Sequence, residues 1–326
     1  MSQISQITRG AGERENSGRG DFLHCRLYDS NPGRHPAINT VNPPQQSQSA
    51  FDLQGAKLSA LSQAIAYRGI MERQPRNHRE TTSGNLQSTR EAIRNYNNIL
   101  ETDETLWSGI RRRTLRTRVR QFMYKAMHGT QKVGKYWQHL ENAEQREFCT
   151  TCGVTESMEH ILIRCQATPR SIIWRQAEDL WPHAPNLWPD ITMGIILGCG
   201  AITLPIEEDP EDHSEPNQMV HRSEKQGSQR LLQILISEAA HLIWVLRCER
   251  VIPEPPRIHT ENEIKTRWLN MINTRLTNDK IIATKIKCDE RTTRLVKTTW
   301  EPTLKQSLDL PNDWLHHCEV LVGRNP

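Results

Sequence analysis

Long apolar runs are missing from this 326-residue chain, and no stretch reaches the roughly 18 uninterrupted apolar residues that a membrane span requires. Its first residues hold no compact apolar run of the secretory kind, so the expectation is a soluble intracellular protein, nuclear or cytoplasmic, with no membrane partner. Aromatics are scarce at 6%, with four phenylalanines and five tyrosines, and hydrophobic residues reach only 36%. Part of the chain therefore lacks the apolar surface needed to offset its ordering entropy. Long alternating stretches and repeats of roughly 20–50 residues are lacking too, which argues against extended sheets and solenoids. No glycine-rich phosphate loop, GxSxG or HExxH occurs, so the common signatures of nucleotide-binding enzymes, hydrolases and metalloproteases are excluded and no small-molecule substrate is implied.

Tryptophan, in contrast, is abundant. Nine residues fall at 107, 137, 174, 181, 188, 244, 268, 300 and 314, so the apolar anchors begin only after residue 100. The net charge of +4 and the pI near 8.6 are mild, and the distribution of charge carries more information than its total. Eight cysteines would permit disulfides, yet Cys25, Cys199, Cys248, Cys288 and Cys318 stand singly, and only the group at 149–165 has meaningful spacing.

Along the chain, residues 1–50 are rich in Ser, Gln, Asn, Gly, Pro and Arg without apolar period, and are expected to be disordered. Residues 51–105 form a helical lead-in, with one amphipathic helix from Phe51 to about Gly69 and a second from Gln87 to Leu100. Residues 106–190 open with RRRTLRTRVRQFMYKAMHG, where Leu115, Val119, Phe122, Met123, Ala126 and Met127 share a stripe and Gly129 supplies the stop. This segment closes with RSIIWRQAEDLW, a helix ended by the prolines at 182 and 185. Residues 191–228 read as an acidic linker around EEDPEDHSEP, and 229–326 as a C-terminal helical region. In that region QRLLQILISEAAHLIWVLRCER is a buried helix, Thr260 and Glu263 form a capping box ahead of Ile264, and a further helix spans Glu290–Trp300. The fold class is mainly α: a helical zinc-binding unit, then a C-terminal helical region, behind a disordered N-terminus.

The spacing C-x2-C-x7-H-x4-C places Cys149, Cys152, His160 and Cys165 within seventeen residues. Three soft sulfurs and one imidazole are the donor set of a structural Zn2+ site, one ion per chain. Glycine at 153 suits a tight knuckle whose amides point back at the sulfurs. Four protein ligands fill a tetrahedron and leave no open position for water or substrate, so the metal contributes folding energy rather than catalysis, and chelation is expected to melt residues 110–190. Chance clustering of cysteines is the competing explanation. On an ideal helix the five-residue step from His160 to Cys165 turns about 140°, so His160 should start a helix whose frayed end carries Cys165.

Between Thr105 and Leu140 no acidic residue occurs, whereas Arg111, Arg112, Arg113, Arg116, Arg118, Arg120, Lys125, Lys132 and Lys135 supply nine positive charges. Such a stripe neutralises phosphates and releases counterions, making nucleic acid the leading partner. A solvated helix face turned toward the acids at 207–215 is the alternative. His128, before Gly129, reads as a cap rather than a catalyst.

Together FMYKAMHGTQKVGKYW, CTTCGVTESMEHILIRC and IIWRQAEDLW resemble the zinc-binding domain that follows reverse transcriptase and ribonuclease H in non-LTR retrotransposon polyproteins. FDLQGAKLSALSQAIAYRGI upstream, and SEAAHLIWVLRCERVI, LPNDW and LVGR downstream, are similar to fungal ribonuclease H-like members, so the resemblance covers about residues 51–324. It implies polymerase and nuclease chemistry in the full-length proteins, dependent on clustered carboxylates and Mg2+. Here no YxDD occurs, and Asp21, Asp29, Asp52, Glu72 and Glu80 lie in text with no strand pattern to gather them. The resulting expectation is a non-catalytic, zinc-stabilised nucleic-acid-binding remnant or module. The alternatives are a protein-interaction scaffold whose acidic linker and apolar C-terminal helices dock a partner, for instance the retroelement's catalytic subunit, and a residual Mg2+-dependent ribonuclease H-type nuclease.

Overall fold

The computed structural model describes residues 62–73, 79–205, 215–253, 255, 257–286, 289–305, 310–317 and 319–323, with the side chains of 215–221 left aside. The segment 1–50, Asp21, Asp29 and Asp52, the start of the lead-in, and the acidic stretch 206–214 lie outside the described residues. Among the described residues the architecture is helical, and pairing of extended backbone is confined to isolated bridges between Phe148 and Thr155 and between Leu304 and Val322. The helices are α1 (Gln63–Arg73), α2 (Glu80–Asn97), α3 (Asp103–Arg111), α4 (Thr117–Met127), α5 (Thr168–Asp179), α6 (Met193–Gly198), α7 (Glu215–Val251), α8 (Glu261–Ile281) and α9 (Glu290–Trp300). The chain divides into two compact units, and α1 belongs to the first, Met1–Pro75. Within α1 only Gly69 is buried, and Tyr67 and Ile70 are exposed.

Helices α2–α9 belong to the second unit, Arg76–Pro326. Its centre is α7, in which residues 231–240 are buried without interruption. Helices α4, α5 and α9 pack against it, and α8 packs against α5 and α9. Part of this helix, Arg222–Val251, is long and apolar enough to cross a membrane, but 78% of its most apolar window is buried within the fold, as expected of a core helix. Trp268, Trp300 and Trp314 are fully buried and anchor the C-terminal region. Helix α8 begins where the capping motif places it: Thr260 Oγ1 accepts from the Glu263 amide at 3.2 Å. The reciprocal half of the capping box is not made, because the Glu263 carboxylate turns to His259 at 3.1 Å and Arg257 at 2.6 Å.

Four differences from the sequence reading have physical causes. The second helix starts at Glu80 rather than Gln87, since Leu86, Thr89, Ile93 and Asn97 extend one buried face back into polar text. The single basic helix expected from Arg111 is broken: Arg112–Arg116 form a turn between α3 and α4, held by Arg275 donating to the Thr114 carbonyl at 2.8 Å and by an Arg116–Glu238 ion pair. The segment 191–228, expected as a linker, places Ile195, Ile196, Leu197, Ile202 and Leu204 in the core and joins α7 from Glu215. There Gly194 and Gly198 let α6 lie directly on α2, where a Cβ would come within 2.6 Å of Ala92 and of Ile93. Finally, the apolar faces of α7–α9 proposed for docking a partner are turned into the core instead.

Candidate metal centre

The segment from Gly134 to Gln166 has little regular structure: two short 3-10 turns, Gly134–His139 and Glu144–Glu147, then a tight reversal and a π-helical turn, His160–Arg164. Phe148 and Thr155 bridge across the reversal, the Cys149 amide donates to the Val154 carbonyl at 2.8 Å, and the Gly153 amide to the Cys149 carbonyl at 2.8 Å. Gly153 sits at φ +71 with open space around its Cα, so the glycine is required by backbone conformation and not by crowding. Amides also aim at sulfur, with those of Gln166 and Ala167 each 3.4 Å from Cys152 Sγ and Cys165 Sγ respectively.

The π turn solves the register problem posed by the five-residue step. The Cys165 amide donates to the His160 carbonyl at 2.6 Å, an i to i+5 bond that widens the helix and returns Cys165 to the side of His160. Both ends of the turn are fixed. Ser157 Oγ accepts from the His160 amide at 3.0 Å, Trp174 Nε1 donates to the Leu162 carbonyl at 2.8 Å, and Arg170 Nε to the Cys165 carbonyl at 2.5 Å. Helix α5 thus supplies donors to carbonyls that a π turn leaves open.

One donor atom from each of Cys149, Cys152, His160 and Cys165 lies within 4.8 Å of the others, an arrangement that could hold a metal ion. Cys165 Sγ stands 3.7 Å from Cys149 Sγ and 4.0 Å from Cys152 Sγ. His160 is buried and its Nε2 has no hydrogen-bond partner, an orphaned atom that a cation would satisfy. Burial pushes the Cys149 thiol up, but hydrogen bonds from His160 and from the Cys152 and Thr151 amides outweigh it and bring the thiol down to about 6. Cys165 is pushed up to about 11, by burial first and then by Cys149 and Cys152 beside it, against an opposing bond from the Ala167 amide. Thus one sulfur ionises readily and its neighbour resists, as thiolates this close repel each other unless a cation lies among them.

Beneath the loop, Glu156 is buried and ion-paired to Arg247 of α7, with Arg247 Nε donating at 2.8 Å. Arg250, one turn on, donates to Thr151 Oγ1 at 3.3 Å, and Arg146 to the Ile252 carbonyl at 3.2 Å. The end of α7 therefore supports the loop through arginines. Reading the sequence for ligands alone passed over Glu156 and Arg247; the available signal was a charged LRCER ending on an otherwise apolar helix.

Of the nine basic residues, Arg111, Arg112, Arg113, Arg118, Lys125, Lys132 and Lys135 are exposed, and none is in an ion pair among the described residues. Arg116 and Arg120 differ. Arg116 is engaged with Glu238, with its Nε at 2.6 Å, and Arg120 donates to Thr117 Oγ1 at 3.0 Å and weakly to the Arg111 carbonyl at 3.4 Å. Among the exposed cations stand two exposed aromatics the sequence reading did not single out: Tyr124, against Trp107 and His128, and Tyr136, with Lys132 Nζ 5.4 Å from its ring. His128 caps α4, stacks on Trp107 and meets Thr82 Oγ1 at 2.9 Å, with its pKa lowered by burial and by Arg79. No protein-family model, characterised protein or solved structure matches this chain.

Proposed function

We propose that the chain is a zinc-stabilised helical protein that binds nucleic acid through the cations between Arg111 and Lys135, a module of the kind found in non-LTR retroelement polyproteins and not catalytic alone. Zinc is favoured over other metals by the donor set, three thiolates and one imidazole. In a tetrahedron with metal–sulfur bonds of about 2.3 Å, sulfurs lie roughly 3.8 Å apart. The 3.7 and 4.0 Å separations agree with that edge length. All four positions being filled by protein, the ion is structural.

The observation that carries the nucleic-acid reading is the group of seven exposed cations that have no acidic partner among the described residues, in a segment lacking any Asp or Glu. Phosphate neutralisation needs such charges to be unengaged. Tyr124 and Tyr136 add flat faces on which unpaired bases can stack, which favours single strands. Arg116 leaves the contact set because Glu238 already holds it. The test measures binding of labelled single-stranded RNA and DNA by the zinc-loaded full chain across a salt series, beside an Arg112→Ala, Arg113→Ala, Lys125→Ala variant. The expected outcome is a steep salt dependence whose slope falls in the variant by about 0.7 per lost phosphate contact. Binding that ignores salt, or an unchanged slope in a folded variant, overturns the proposal.

A further inference from the structure

A half-open cleft of about 1120 Å³ runs between α2, the loop joining Cys152 to His160, and the segment 185–197. Tyr96 shapes it by donating to the Leu187 carbonyl at 2.7 Å, which ties α2 to the facing wall. The lining carries four carboxylates, Glu91, Glu156, Glu159 and Asp190, and no lysine, arginine or histidine. Glu159 is matched outside by Arg164 at 2.6 Å. Among the described residues Glu91 receives the Gln87 amide alone, at 3.0 Å, and Asp190 forms no ion pair. At the inner end Glu156, 3% exposed, gives one oxygen to Arg247 while Oε1 is buried with no hydrogen-bond partner. A buried carboxylate oxygen without a donor is costly and calls for one.

We infer that this cleft binds an arginine-bearing peptide segment of a partner protein. Its volume exceeds the roughly 300–1,000 Å³ usual for small-molecule sites, and its open side admits a chain passing through. The carboxylates select positive charge, and the aromatic rings of Tyr96 and Trp188 on the walls favour a planar guanidinium, which stacks on rings and forks onto carboxylates, over a compact ammonium. The site is opposite in charge to the basic segment and independent of the nucleic-acid reading.

Fluorescence anisotropy of the zinc-loaded full chain with a labelled peptide of alternating arginine and leucine tests the inference, with a glutamate–leucine peptide as control. Glu91 and Asp190 are exposed, so Glu91→Gln with Asp190→Asn should keep the melting temperature and the nucleic-acid affinity. This pair is expected to weaken the arginine peptide by about tenfold or more, the scale of losing paired charges at a binding site. Glu141→Gln with Glu144→Gln, exposed acids outside the cleft, should leave peptide affinity unchanged. Lack of saturable binding by the wild type, or equal loss in both pairs, overturns the inference. Displacement of the peptide by magnesium at constant ionic strength also overturns it, in favour of a cation site.

Discussion

The loop that carries the four metal donors and the helices that follow it are built on different terms, though both belong to the same compact unit. Between Gly134 and Gln166 the backbone bonds are those of short turns, few apolar residues are buried, and Phe148 and Val154 face outward. From Leu231 to Trp300 the chain buries ten consecutive residues of α7 together with Trp268 and Trp300. The first region buries little apolar surface against its conformational entropy, and on the proposed reading a metal held by its four donor atoms makes up the difference. The second is held by its buried apolar core. On that reading ligand geometry replaces packing where the chain forms no core, and the two regions should respond differently to loss of metal, loss of a buried charge and acid.

On the proposed reading the largest separation is expected on removing zinc, whose binding free energy in structural sites, about 10–16 kcal/mol, would be folding free energy for the loop. Chelation, or Cys149→Ser with Cys152→Ser, should abolish amide-exchange protection in residues 144–166 while α7 and α8 keep theirs. This is narrower than the 110–190 span read from the sequence, because α4 and α5 also pack on α7 and do not depend on the loop alone. Loss of protection in α8 as well would show one cooperative unit and erase the contrast.

Within the helical region the weak point is charge. Glu238 is buried in α7, accepts from Arg116 Nε at 2.6 Å and lies 3.7 Å from Arg275, itself 7% exposed. Replacing Glu238 by Ala strands these cations and should cost about 3–5 kcal/mol in chemical denaturation, with zinc content unchanged. Arg116→Ala should cost less, since its side chain is 32% exposed and Glu238 would keep Arg275. A loss below about 1 kcal/mol for Glu238→Ala would mean the pair contributes no more than a surface bridge.

Much of this contrast was legible in the residues themselves. The C-x2-C-x7-H-x4-C spacing located the four donors, and Thr260 and the Glu290–Trp300 run marked helix ends that the structure keeps, because caps and apolar stripes act over one or two turns. What could not be read depends on side-chain partners outside each element. The π turn at His160–Arg164 relies on donors from Arg170 and Trp174 on the next helix, the break at Arg112–Arg116 on the distant Arg275 and Glu238, and the burial of 191–204 on glycines fitting α2. Local pattern carries none of that information. Acidic composition near 207 also drew the boundary too widely, since apolar Ile195 to Leu204 and the start of α7 flank it.

Acid sharpens the comparison least, but it separates the regions by mechanism. His241 of α7 meets the Phe122 ring edge-on at 5.6 Å, and burial, then Arg116 and Arg118, bring its pKa down to about 4. The unfolded chain titrates this group near the ordinary value of about 6.5, so between these values it holds more protons than the folded chain. The stabilisation is fully present above that ordinary value and is lost as pH falls through about 4, with a size on the order of 3 kcal/mol. His241→Gln removes this dependence from the helical region alone. Amide protection of α8, followed from pH 7 to pH 4, should therefore fall more steeply in the wild type than in the variant. The metal loop should weaken equally in both, as protons compete for its thiolates. Parallel curves for α8 would mean that His241 titrates alike in the folded and unfolded chain and that its burial contributes nothing to the acid response of the helical region.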